Sequence, residues 1–176
     1  MNNFIHKLDI PQEIKFDSIN EYRQIITKRK RSDKINKNIF SVSLFNAFVK
    51  NNDPKTFDEI AYILEMDEHK INKGLKYYRD NNIHICDINP IDIMKTFIKK
   101  IGIEKYDIDE IVNIYNHVKN SDGLNTAKIK TFAVVLFYLF LDKNKININK
   151  TEFCKCLNLS SNTLDRYYKC VITAIN

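Results

Sequence analysis

The stretch Asp53–Tyr78, DPKTFDEIAYILEMDEHKINKGLKYY, decides how the rest of the chain is read. Thr56 and Glu59 have the Thr-x-x-Glu spacing of a capping box, in which hydroxyl and carboxylate each satisfy a free backbone N–H of the other's residue. A helix is therefore expected just after Thr56, with Phe57, Ile60, Ala61 and Leu64 on one face. Met66, Asp67 and Glu68 are expected to turn the chain. A second helix then places Ile71, Leu75 and Tyr78 inward and Lys70, Lys73, Lys76 and Arg79 outward. Two short helices, a tight turn and a basic outer side have a helix-turn-helix shape, which is also the shape of many ordinary packing units.

The pattern gains weight because it occurs twice. The chain has 176 residues and 44% hydrophobic content, enough for one large or two small cores. Three glycines and three prolines argue for helices, since both residues punctuate strands and turns. The net charge of +6 is a modest basic bias, compatible with nucleic acid. Cys86, Cys154, Cys156 and Cys170 lack the paired spacing of a zinc site. They read as reduced, mostly buried thiols of an intracellular protein, and no metal or cofactor is expected. The longest apolar run, Phe132–Leu141, is too short for a bilayer, which needs about 20 residues. No membrane partner is therefore expected, and the opening residues do not read as a secretory leader. No carboxylate pair, activated nucleophile or glycine-rich phosphate loop appears, so no catalytic residue is assigned.

Taken in order, Met1–Leu8 reads as the end of a first helix. Ile14–Lys30 is a second, with Ile19, Tyr22, Ile25 and Ile26 inward and the basic run Lys28–Arg31 at its end. Asn36–Lys50 is a third, apolar around much of its circumference. The opening stretch supplies the fourth and fifth, and Asn81–Asn89 is a polar connection. From Pro90 the plan runs again: Ile91–Ile101, Ile108–Val118, Ala127–Leu141, Thr151–Leu157 and Thr163–Ile175. In the last of these Leu164, Tyr168, Val171, Ile172 and Ile175 are expected inward.

Leu8 matches Ile101 and Glu59-Ile60 matches Glu152-Phe153, both 93 apart. Leu44-Phe45 matches Leu136-Phe137 at 92, and Tyr77-Tyr78 matches Tyr167-Tyr168 at 90, the changes falling in loops. Asn149 and Glu152 stand where Thr56 and Glu59 stand. The chain thus divides into two repeats, 1–85 with a shortened opening helix and 90–176, joined by 86–89. A helix apolar nearly all round is buried on all sides. The expected fold is all-α: two tandem five-helix cyclin-like repeats, each with a central third helix and a terminal helix-turn-helix-like pair.

These residues carry a family resemblance. The chain resembles the core domain of transcription initiation factor IIB and its archaeal counterpart, over nearly its whole length. Pro54, Lys55, Thr56, Phe57, Glu59 and Ile60 match the family's string at the start of the fourth helix, and Ile71, Lys73 and Lys76 match the helix after it. Thr131, Ala133 and Tyr138 fit the second repeat's third helix, and Glu152, Thr163, Leu164 and Tyr168 fit its terminal pair. The resemblance implies a factor that grips promoter DNA and the TATA-binding protein that bends it, touching backbone on both sides of the bend. The second repeat's helix-turn-helix would enter the major groove. RNA polymerase would be a partner mainly through a zinc ribbon and linker absent here, which leaves a fragment or a reduced, divergent factor such as a viral one. The implied location is the nucleus, or the cytoplasm or viral factory for an archaeal or viral member. Other departures are the bulky Phe40, Phe48, Phe137 and Phe140 in the third helices, and Asp165 where the family places a basic residue.

The DNA-binding residues implied are Lys34 and Lys37 before and at the start of the first repeat's third helix, and Lys128 and Lys130 at the second's. In the terminal helix they are Ser161, Asn162, Thr163, Arg166 and Lys169. Bland readings stand beside them. Lys28–Arg31 reads as a DNA contact ahead of a merely solvated helix end, Lys70, Lys73, Lys76 and Arg79 equally as a wet face or a DNA or partner face, and Ser160–Thr163 also as an N-cap cluster. Asp165 would repel phosphate and could accept only from a cytosine amino group in the major groove, so Arg166 is the better candidate for a base or phosphate contact. A cyclin-fold adaptor that binds only protein, such as a kinase-activating cyclin, is the competing reading; it would not need basic residues at both third-helix starts.

Overall fold

The computed structural model describes residues 2–26, 36–103, 107–121, 123–124 and 126–175, with side chains for all of these except Asn2, Asn3 and Glu68. Among the described residues the regular structure is all helical. The helices are α1 (Asn2–His6), α2 (Gln12–Ile26), α3 (Lys37–Lys50), α4 (Phe57–Ile63) and α5 (Glu68–Asp80), then α6 (Pro90–Lys100), α7 (Asp109–Val118), α8 (Ile129–Lys143), α9 (Lys150–Cys156) and α10 (Ser161–Ile175). The chain divides into two compact units, Met1–Ile88 and Asn89–Asn176.

In unit 1, α3 is buried continuously from Ile39 to Phe48. Its apolar residues leave no polar side for water, so α2 and α5 both pack on it. Asn36 caps α3, and the Asn36 N–H donates to the Tyr22 hydroxyl of α2 at 2.7 Å. The capping box at α4 forms in both directions: Glu59 N–H donates to Thr56 Oγ1, and Thr56 N–H to Glu59 Oε2. Phe57 stacks on Phe45 of α3 with ring centroids 4.1 Å apart. The turn that follows is Leu64–Asp67, beginning two residues and ending one residue earlier than read from the sequence, because α4 ends at Ile63 and α5 begins at Glu68.

α5 meets α3 at backbone contact. A Cβ on Gly74 would lie 1.8 Å from the Asn38 carbonyl oxygen. Ile71, Gly74 and Tyr78 are the buried side of α5. The connection after α5 is less polar in structure than in sequence, since Ile83, Ile85, Cys86 and Ile88 all pack against the unit 1 core.

A polar set lies within this core. Asn46 Nδ2 donates to Glu21 Oε1 at 2.6 Å and to the His84 carbonyl at 3.1 Å, while its Oδ1 accepts from Cys86 N–H at 2.8 Å. Glu21 also accepts from the Tyr78 hydroxyl and from Lys50 Nζ. Tyr78 has one proton, given to Glu21, so Ser43 Oγ donates to Tyr78 at 2.7 Å. A carboxylate only 14% exposed needs such partners, because an unpaired buried charge is strongly destabilising. One amide of α3 thus clamps an extended segment of the connection, and one acid of α2 is held by three donors.

Unit 2 is built on α8, buried from Phe132 to Leu141 except at Tyr138. Phe97 of α6 and Phe153 of α9 each pack on Phe137, with centroids 5.6 Å apart. Lys143 of α8 pairs with Glu110 of α7, as Lys50 of α3 pairs with Glu21 of α2.

Six helix ends share one device. Asn52, Glu65, Asn82, Gly102, Lys145 and Asn158 take positive φ just past α3, α4, α5, α6, α8 and α9. The next N–H then reaches back to the third-last residue of the helix, as Met66 does to Ala61 at 2.9 Å and Ile146 to Leu141 at 2.9 Å. Only one of the six is glycine.

These boundaries recur at a single spacing. Asn52 and Lys145 are 93 apart, as are Glu65 and Asn158. The buried residues Ile71, Gly74 and Tyr78 fall 93 before Leu164, Tyr167 and Val171. The buried spans of α3 and α8 also begin and end 93 apart, at Ile39 and Phe132, Phe48 and Leu141. The offsets of 92 and 90 read from the sequence are therefore slips of one and three residues. The eye pairs two Tyr-Tyr doublets, whereas burial pairs Gly74 with Tyr167 and Tyr78 with Val171.

Other boundaries shift as well. α2 is described only to Ile26, so Lys28–Arg31 and Lys34 lie outside the described residues. α8 runs Ile129–Lys143 rather than 127–141, which makes Lys128 its N-cap. α10 starts two residues earlier than expected, at Ser161.

Candidate nucleic-acid interface

α10 begins where it does because the Ser160 hydroxyl accepts from Thr163 N–H at 3.1 Å, satisfying an orphan donor of the first turn. The same hydroxyl shares a hydrogen bond with Thr163 Oγ1 at 2.7 Å. Thr163 is thus committed to the cap, and Ser161 is half-buried. The helix is fixed below by Leu164, Tyr167 and Val171. Tyr168, expected inward, lies beside that stripe and half-exposed. Its ring meets Tyr138 edge-on, and its hydroxyl donates to Asp142 Oδ2 at 2.8 Å. Burial and that bond push Tyr168 up to about 12. Ile175, also expected inward, is 40% exposed.

The outer side of α10 carries Asn162, Asp165, Arg166 and Lys169, all exposed and spaced i, i+3, i+4, i+7 on one face. The Arg166 guanidinium lies over the Tyr167 ring, 4.5 Å from its centroid, which holds the head group close to the helix surface. Asp165 does not stand alone. Its Oδ1 takes Lys150 Nζ from the first residue of α9. The Lys150 ammonium is held above its usual range chiefly by that bond. The sequence reading of Asp165 as an acid that would repel phosphate did not include this partner, which is 15 residues away and on another helix.

Lys128 caps α8 by position and makes no side-chain cap bond, and Lys130 sits in the first turn after it. In unit 1, Lys37 is the first residue of α3 and lies over the Phe4 ring at 4.2 Å. Lys73, Lys76 and Arg79 are exposed along α5, while Lys70 is drawn toward Asp67 at 3.7 Å. The structure therefore gathers Asn162, Arg166 and Lys169 on one face and sets Lys128 and Lys130 at another helix start of the same unit. Lys37 and the α5 lysines belong to unit 1.

Cys154 is buried, Cys86 and Cys170 half-buried and Cys156 exposed; all four are free thiols. Among the described residues no three metal-ligating side chains converge. No described helix is long and apolar enough to cross a membrane.

No protein-family model matches the chain. It is 24% identical over 180 residues to a transcription initiation factor IIB of Thermoplasma volcanium, and 23% identical over 180 residues to one of Thermoplasma acidophilum. Each alignment takes in 100% of this chain. A IIB-like protein of Acanthamoeba polyphaga mimivirus is 26% identical over 146 residues, 74% of this chain and 31% of that protein. The chain is IIB-like and divergent. It spans 56% and 58% of the length of the two archaeal relatives.

Within this IIB-like chain, sequence reasoning missed Lys150 and the whole Glu21–Asn46–Tyr78 set. A signal for the second was present: Ser43 and Asn46 are polar residues inside the most apolar stretch of α3. Lys55, quoted for the family resemblance, has a local role, pairing with Asp53 at 2.6 Å and lying over the Phe48 ring.

Proposed function

We propose that this chain is the promoter-binding core of a IIB-like initiation factor, non-enzymatic and working inside the cell. In this reading its two units act as two cyclin-like repeats that bind promoter DNA bent by a TATA-binding protein. The complex then helps assemble RNA polymerase at the start site. The observation that carries the reading is similarity along the full chain to two archaeal proteins named as transcription initiation factors. The exposed Asn162, Arg166 and Lys169 of α10 support it, as do the lysines at the start of α8. A helix-turn-helix reads base edges from the N-terminal part of its second helix, and cationic side chains beside it hold phosphate.

With a net charge of only +6, affinity for free duplex is weak, and binding requires the partner that bends the DNA. The test is a mobility shift on TATA-containing duplex at physiological salt, with and without a TATA-binding protein. Retention only in the ternary mixture supports the reading. Arg166→Ala then alters preference among flanking sequences, whereas Lys169→Ala weakens all of them and flattens the salt slope by about one unit. Absence of any ternary complex overturns it and favours the protein-only adaptor.

A further inference from the structure

We propose that Asp165, clamped by Lys150, is a base-reading residue for cytosine on the outer face of α10; this rests on the promoter reading above. An acid on a DNA-facing helix is ordinarily excluded by phosphate repulsion. Here the charge is met within the chain, since Lys150 Nζ sits on Asp165 Oδ1. The pair is neutral as a unit, and it also fixes the direction of the carboxylate. Its second oxygen has no partner among the described residues, and the Asp165 side chain is 59% exposed. What remains is an oriented acceptor between Asn162 and Arg166 on one helix face.

Base chemistry then selects the ligand. In the major groove guanine presents two acceptors and thymine one acceptor beside a methyl, so both repel a carboxylate. Adenine offers an amino group, but beside an acceptor nitrogen that opposes the same charge. Cytosine offers an amino donor beside a C–H edge, with no competing acceptor. Asp165 therefore accepts from cytosine N4, and Arg166, one residue on, suits an adjacent guanine or a phosphate. Lys150 is a positioning residue that acts through Asp165.

The full chain is titrated on TATA-containing duplexes bound by a TATA-binding protein, each flanking base pair being varied in turn. The wild type is expected to prefer cytosine at one flanking position by roughly 5- to 150-fold. Asp165→Asn removes that preference and moves it toward adenine, which an amide reads with both its groups. Lys150→Met weakens the cytosine preference and lowers affinity for every sequence, because the carboxylate is left neither oriented nor compensated; an undiminished preference in this variant would rule out the positioning role. The Asp165 side chain is exposed and that of Lys150 half-exposed, and thermal unfolding confirms that each variant is folded. Ternary binding with the same base preference in wild type and Asp165→Asn overturns this assignment and leaves the promoter reading standing. Failure of the wild type to form any ternary complex overturns the promoter reading itself.

Discussion

Gly74 of α5 and Asn38 of α3 touch through their backbones: a Cβ on Gly74 would stand 1.8 Å from the Asn38 carbonyl oxygen. That oxygen belongs to the first turn of α3 and cannot swing aside as a side chain could. Gly74→Ala would gain about 1 kcal/mol of helix propensity. The overlap acts the other way, forcing α5 off α3 and loosening Ile71 and Tyr78, for a loss of about 3 kcal/mol. The variant is expected to unfold at lower urea than wild type, the change confined to the transition of unit 1. Equal or greater stability would mean that the two helices do not meet in this way.

Asn46→Leu tests the amide clamp on the connection, leucine being the residue 93 positions on, at Leu139. The substitution removes the bonds to the His84 carbonyl and Cys86 N–H and takes one donor from Glu21. Leaving buried polar groups unmatched costs about 1–3 kcal/mol each. The expected signature is local: amide exchange at Cys86 accelerates more than exchange in the middle of α3. Unchanged protection at Cys86 would refute the clamp.

The helix ends allow a gain of stability. Glu65 and Lys145 hold positive φ with a side chain, a conformation that costs an ordinary residue roughly 1–2 kcal/mol. Glu65→Gly and Lys145→Gly are each expected to stabilise their unit by up to about 1 kcal/mol, the larger chain entropy of glycine offsetting the rest. Asn52→Gly should change little, since asparagine tolerates the left-handed region. Denaturant midpoints of the three variants decide the matter, and a fall in stability for both Glu65→Gly and Lys145→Gly would count against these caps.

Stability should fall on the alkaline side. Burial raises the Cys86 thiol and the Tyr78 hydroxyl, burial and Asp142 push Tyr168 up to about 12, and the Glu21 bond raises Lys50. In every case the folded state holds the proton more tightly than the unfolded chain does. Such groups contribute fully below their unfolded values, about 8.5 for cysteine and about 10 for tyrosine and lysine. Their contribution is lost as pH rises through the folded values. Urea midpoints should therefore be flat near neutrality and decline above about pH 9. Tyr168→Phe should flatten the decline between about pH 10 and 12. A midpoint that rises over that range would contradict the sign.

What the sequence made legible was local. Thr56 and Glu59 are three residues apart and act on each other, so their capping box could be read directly. The buried helices α3 and α8 announce themselves by apolar residues on every side. What was hidden depends on residues that meet only after folding. Glu21 and Tyr78 are 57 positions apart, and Lys150 and Asp165 belong to different helices. Gly74 reads in sequence as a mild helix weakness, and only the α3 backbone beside it shows why a side chain is excluded. The same gap explains the register slip at the tyrosine doublets, because identity of side chains is visible in a sequence and depth is not. On the candidate interface, Asn162, Asp165, Arg166 and Lys169 were foreseen on the outer side of α10, but Thr163 is half-buried, Tyr168 and Ile175 are less buried than expected, and the partner of Asp165 was not foreseen.

The polar set inside unit 1 also bears on how one chain with two equally spaced halves folds without confusing them. At the 93-residue spacing, Leu136, Leu139 and Val171 stand at the positions corresponding to Ser43, Asn46 and Tyr78. If α8 took the place of α3, Glu21 would lose Asn46, and the backbone of His84 and Cys86 would meet leucine instead of an amide. If α3 took the place of α8, Ser43 and Asn46 would be shut in hydrocarbon without partners. Either exchange costs several kcal/mol, comparable to the stability of a small domain. The polar set thus ties α3 to its own half of the chain, since exchanging α3 and α8 would strand polar groups in either half.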